Sequence, residues 1–204
     1  MKAFRKAVLQ YQKKECLRLK IKTEGKVDII VGMMMFLILL IAILFAFRIS
    51  QYMVTAAGVE DALAASNLAS AVVDLEEYGK SNTIHIPDAE AAFGIFREAL
   101  CYNLELDQYM NTSNKNFLTA PVEIKEYRIF NVVGEKVHIL VLDGNGCLCK
   151  EECGSIGEVY TPDNILVETT TIYSRIGFWV EGLMGQQIYA EKEKSIDIKR
   201  CDSE

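Results

Sequence analysis

Residues 29–47 read IIVGMMMFLILLIAILFAF, nineteen residues without a charged side chain. At ~1.5 Å of rise per residue, a helix of that length approaches the ~30 Å hydrocarbon core of a bilayer. Lipid offers a backbone no hydrogen bonds, so such a run has to satisfy its own amides, as a helix does. A buried core helix would show one apolar stripe and one polar face. Here every face is apolar, and the stretch reads as one membrane span.

Beyond Arg48 the pattern becomes one-sided. Ile49, Tyr52, Met53, Ala56, Leu63, Ala64, Leu68, Ala71, Val72 and Leu75 recur mostly at three- and four-residue steps, the period of an amphipathic helix. Gln51, Thr55, Asp61, Asp74 and Glu77 fall on the other side. No proline interrupts residues 29–78, and Gly79 offers a C-terminal cap. One helix of about fifty residues, on the order of 75 Å, is expected to run from lipid into water. Its stripe, Leu63 and Leu68 included, needs a cover, which the rest of the chain can supply. Glu60 and Asn67 fall on the stripe and either bond to that cover or mark the edge. The many alanines between 56 and 71 permit close backbone approach, and they also simply favour helix.

On the N-terminal side, residues 1–26 hold nine Lys/Arg against Glu15 and Glu24, a net of +7. The remainder holds thirteen Lys/Arg and twenty-six Asp/Glu, a net of −13. A short basic flank places the N-terminus in the cytoplasm and the acidic part outside. Topology explains the basic flank more simply than nucleic-acid binding does. The flank could lie on anionic lipid, be a leader that is removed, or be a topology signal alone. The apolar run exceeds the ~7–15 residues of a secretory signal and no small-x-small site follows it directly, Ala56-Ala57-Gly58 lying inside the amphipathic repeat, so the span is expected to stay in the mature protein. Asp28 suits the N-cap of the span helix, or a specific charge pairing.

The part after Gly79 is long enough for one compact domain. Residues 81–87 read as a polar linker. Ala89, Ala92, Phe93, Phe96, Leu100 and Leu104 predict a second helix over 88–104. Residues 107–119 read as a loop, with a glycan-acceptor match at Asn111-Thr112-Ser113. Residues 122–133 and 136–142 with Gly134-Glu135 between them predict a hairpin, and Asp143-Gly-Asn-Gly a second turn. Strands are also expected over 165–173 and 187–198, while 175–184 stays open between strand and loop. Short connections make the sheet mostly antiparallel. The expected class is α+β: a long transmembrane and amphipathic helix packed on a small antiparallel head with one further helix. The expected organisation is a basic cytoplasmic leader (1–25), a transmembrane and spine helix (26–79), and an extracytoplasmic head (80–204).

Cys16 is cytoplasmic on this topology, whereas Cys101, Cys147, Cys149, Cys153 and Cys201 lie outside, where disulfides persist. Five is odd, so at least one stays free or pairs with another chain. Cys147, Cys149 and Cys153 cluster, but zinc takes four ligands, and the fourth would have to be His138 or a distant cysteine. Disulfides are the simpler reading, and a reducing habitat would leave thiols. Asp143, Asn145, Glu151 and Glu152 miss the EF-hand spacing because Cys147 stands where an oxygen ligand is required. His85 and His138 are isolated, and no G-x-S-x-G, phosphate loop or HExxH occurs. Neither enzyme activity, nor a cofactor, nor a small-molecule substrate is expected.

A basic leader ending in glycine, then a charge, then a span continuing as an Ala-rich amphipathic helix under a small α+β head, resembles the type IV pilin-like architecture. More narrowly it resembles the TadE/TadF-type minor pseudopilins of the tight-adherence (Flp) pilus and secretion machinery. The resemblance covers residues 25–77, with the head matched in general plan. It implies cleavage after Gly25, leaving Lys26 in front. The family's usual glutamate, fifth in the mature chain, is Ile30 here, and Asp28 is the nearby acid. It also implies that apolar helices pack against other pilin-like subunits or assembly-platform membrane proteins, with the lipid bilayer as the first partner. The alternative is a membrane-anchored extracellular binding module, an adhesin or sensor head. That reading needs an exposed apolar or aromatic patch, or a pocket, on the head, and no apolar helix face free for partners. A stripe fully covered by its own head and an independent pocket would favour it.

Overall fold

The computed structural model describes residues 2–81, 83–112, 118–182 and 185–199; within 2–27 only the side chain of Lys14 is described, and that of Glu77 lies outside the description. The chain divides into two compact units, Met1–Tyr52 and Met53–Glu204. Helix α1 (Lys2–Ala69) supplies the first unit and the opening of the second.

In the first unit, α1 begins well before the apolar run. Asp28 therefore lies inside the helix and is not its N-cap. The basic segment is composed largely of good helix formers, and its one glycine, Gly25, weakens a helix by only about 1 kcal/mol. Every residue from 28 to 50 is exposed. Arg48 closes the apolar run by donating to Gln51 Oε1 at 3.2 Å.

In the second unit, α1 stops at Ala69 rather than near residue 78. Ser70 Oγ donates to the Asn67 carbonyl at 2.8 Å and accepts from the Tyr127 hydroxyl at 2.8 Å, so bonds to the sheet fix the turn there. Asp74 Oδ1 accepts from the Glu76 amide and opens a short helix, α2 (Leu75–Ser81). Gly79 lies within α2 and does not cap the spine. The expected second helix is α3 (Ala89–Asn103). Asp88 caps it by accepting from the Ala91 amide at 2.8 Å, and Ala89, Ala92, Phe93, Phe96 and Leu100 form its buried face.

Five antiparallel strands form one sheet in the order β3-β2-β1-β4-β5: β1 (Glu123–Val133), β2 (Lys136–Leu142), β3 (Leu148–Ser155), β4 (Thr171–Glu181) and β5 (Gln187–Asp197). The β1–β2 hairpin closes at Val133↔Lys136, with Gly134 at φ 63, a left-handed conformation that favours glycine. The expected strand at 165–173 is a correction: residues 159–170 form a loop pinned by a Tyr160↔Leu166 bridge, and the strand begins at Thr171. The open stretch 175–184 is strand as far as Glu181. β3, which the sequence left as cysteines after a turn, is an edge strand.

The two faces of the sheet are covered differently. On one, Tyr127 packs edge-on to Phe93 at 5.6 Å and against Phe96 at 5.0 Å. Beside it Asn131 accepts from the Ile86 amide at 3.0 Å and donates to its carbonyl at 2.9 Å. On the other, Phe130, Val137, Ile139, Tyr173 and loop residue Val167 form a second cluster.

The helix stripe is not covered as the sequence pattern suggested. Leu63 is 0% exposed, but Leu68 is 62% exposed. Leu63→Asp should therefore destabilise the full chain in detergent by about 4 kcal/mol or more through an unpaired buried charge. Leu68→Asp should shift stability by no more than about 0.5 kcal/mol. Urea titration followed by Trp179 fluorescence checks both; equal losses would contradict this packing.

Candidate functional site

Three surfaces stand out from the fold. The first is in the unit Met1–Tyr52. Its apolar residues 29–47 all face outward, and α1 is, among the described residues, the one helix long and apolar enough to cross a membrane. Gly25 and Lys26 belong to this helix, so backbone at the expected cleavage point is helical. A peptidase needing extended backbone there would have to unwind it, and glycine lowers the cost.

The second surface is the opening of the other unit. Over residues 53–69, Val59, Ala62, Leu63, Ser66 and Asn67 are buried. Val54, Gly58, Asp61, Ala65 and Leu68 form an exposed stripe on the opposite side, at steps of four and three. A groove of about 300 Å³ borders it, lined by Val54, Gly58, Asn103 and Leu118 among others. The buried side includes polar anchors. Asn67 Nδ2 donates to the Lys194 carbonyl at 2.9 Å, and Asn103 donates to Ser66 Oγ at 3.3 Å. Glu60 accepts from Lys194 at 2.7 Å and Lys192 at 3.3 Å. The hydrogen bond to Glu60 holds the Lys194 ammonium above its usual range. Of the two readings for Glu60 and Asn67, the structure shows the bonded one.

The third surface is the β2–β3 side of the sheet. An open groove of about 580 Å³ lies between the sheet and the entry to α3, lined by His85, Asp88, Glu90, His138, Leu148 and Glu151 among others. On β3, Cys149 and Cys153 are exposed thiols, as is Cys147 in the preceding turn. Cys153 Sγ lies 3.4 Å from His138 Nδ1. Cys101 is half-buried, 3.4 Å from the Met110 sulfur, and burial pushes its thiol pKa up. These four thiols are unbridged, and Cys201 lies outside the described residues. Asp143 accepts from the amides of Cys147 and Asn145, both at 2.9 Å, which holds its carboxyl below the usual range. Its oxygens thus serve the turn. Among the described residues, no three His, Cys, Asp or Glu side chains gather as a metal site.

Comparison with protein-family models, with curated proteins and with solved structures returns no match.

Thiol reactivity should follow this geometry. At pH 7.5 a maleimide should modify Cys149 and Cys153 well before Cys101, whose neutral form is favoured by burial. Raising the pH above 9 should narrow the gap as Cys101 ionises. Peptide mass mapping reads the order, and early Cys101 modification would contradict it.

Proposed function

We propose that this chain is a single-pass, membrane-anchored structural subunit of pilin-like plan, with residues 29–47 in the bilayer, the N-terminus cytoplasmic and the second unit outside. Helix length and the basic flank support the anchor and its orientation. The exposed stripe Val54–Gly58–Asp61–Ala65–Leu68 carries the subunit reading. A spine serving only its own head has no use for an exposed face of small and apolar residues, here Gly58, Ala65 and Leu68 beside Val54, interrupted by Asp61. A spine packing against other pilin-like subunits or an assembly platform requires one. Processing after Gly25, with Asp28 then close to the new ammonium of Lys26, belongs to the same proposal.

In intact cells, after gentle reduction, an impermeant maleimide should reach Cys153 and not Cys16; the reverse would overturn the orientation. Intact mass of protein from its native membrane should begin at Lys26 if the chain is processed. Leu68→Arg should reduce assembly into the native membrane complex while leaving protease resistance unchanged. Undiminished assembly in that variant would favour the second reading, a membrane-anchored binding module. The 580 Å³ groove beside His138 and Glu151 supports that alternative.

A further inference from the structure

We infer that β3 is a homotypic covalent interface: two copies of the chain pair antiparallel along β3 and are joined by two Cys149–Cys153 disulfides. The inference is independent of the pilin-like reading.

The edge is open in the required sense. Ile156 donates to the Glu135 carbonyl at 3.1 Å. Carrying that alternation along the β2–β3 ladder gives the hydrogen-bonded pairs Val137↔Gly154, Ile139↔Glu152 and Val141↔Lys150. Glu151 and Cys153 therefore turn their own amides and carbonyls to the free edge. A bulge between Val141 and Leu142 leaves Cys149 without a partner on β2.

The sequence of β3 selects one register. With Glu151 on the two-fold axis, Cys149 lies opposite Cys153 of the second copy, twice, and Lys150 lies opposite Glu152, twice. Facing residues at a hydrogen-bonded antiparallel pair are ~5.5 Å apart at Cα, within the range a disulfide spans. The pairing requires Cys149, which the bulge frees from β2, to continue the outward alternation of Glu151 and Cys153. The Lys–Glu pairs occupy the closer, non-hydrogen-bonded positions, where side chains of opposite charge interact best. A slip by one pair either way sets Lys150 against Lys150 or Glu152 against Glu152, and puts a cysteine opposite Glu151. In the chosen register Glu151 meets its own copy, which opposes pairing, so the covalent bonds hold the dimer.

Bond formation needs a disulfide oxidant, here oxidised glutathione. Cys153 passes its proton to His138 Nδ1 and attacks one glutathione sulfur, forming a mixed disulfide and expelling one glutathione thiolate, which takes up the proton held on His138. Cys149 of the second copy then attacks the Cys153 sulfur as its thiolate and expels the second glutathione, which takes up the proton that Cys149 lost. Each bond takes two electrons from two protein thiols and reduces one glutathione disulfide to two thiols.

The test uses the full chain in detergent with oxidised glutathione, read on non-reducing gels and by mass mapping. Wild type should form a dimer that reductant dissolves, with the Cys149 and Cys153 peptides joined. C149S alone and C153S alone should each lose it. Mixing C149S with C153S should restore a dimer, since one copy supplies Cys153 and the other Cys149. K150E should reduce dimer yield, and K150E/E152K should recover it. A dimer persisting in C149S, or no recovery in the mixture, would overturn the inference.

Discussion

The second unit depends on a polar seam that a helix end makes with a sheet. Ser66, Asn67 and Ser70 are fully buried, on the same side of the spine as Val59, Ala62 and Leu63. Buried hydroxyls and amides cost free energy unless bonded, and most of this polar surface finds a partner: Asn103 at Ser66, the Lys194 carbonyl at Asn67 Nδ2, Tyr127 at Ser70, with Asn67 Oδ1 left unbonded among the described residues. Burial pushes the Tyr127 hydroxyl pKa far up, so it remains a neutral donor. The small side chains at Ala62 and Ser66 leave room at this seam, and the bonds hold the helix in one rotational setting. That setting decides which spine residues are buried, and so which stripe is left bare.

The sequence made the long apolar helix legible because nineteen consecutive uncharged residues override any local preference. Asp88 with its following apolar period gave α3, and Gly134-Glu135 between β-rich runs gave the hairpin. The rotational setting of the spine was the part hidden. Leu63 and Leu68 are five residues apart, which at ~100° per residue puts them roughly 140° apart round the helix. A walk along three- and four-residue steps drifts across that angle without signalling it. The true inner stripe contains serine and asparagine, which an apolar pattern excludes. The helix end was hidden for the same reason, since the bonds that fix it come from residues some sixty positions away, such as Tyr127 at Ser70.

β3 was illegible for another reason. Leu-Cys-Lys-Glu-Glu-Cys-Gly-Ser has neither β-branched residues nor apolar alternation. Alternation arises when one face of a strand is buried, and most of β3 is exposed. Its place in the sheet comes from the ladder with β2. The groove beside it was equally hidden, because His85 and His138 are lone residues in sequence and the fold alone brings them to one lining.

The two edges of the sheet carry similar charge runs but differ in what those charges do. Edge strands need charges to prevent indiscriminate pairing. On β5, Lys192 and Lys194 are both engaged by Glu60 of the spine, and the Lys194 carbonyl is taken by Asn67. That edge is tied to its own helix. On β3, Lys150 and Glu152 form an ion pair with each other across two residues, a pairing that a facing strand can exchange without loss of charge complementarity. An exposed intrastrand pair contributes little to stability, so exchanging it costs little. The asymmetry leaves one edge committed to the fold and the other available for contact, on the same side of the molecule as the exposed thiols and the His138 groove.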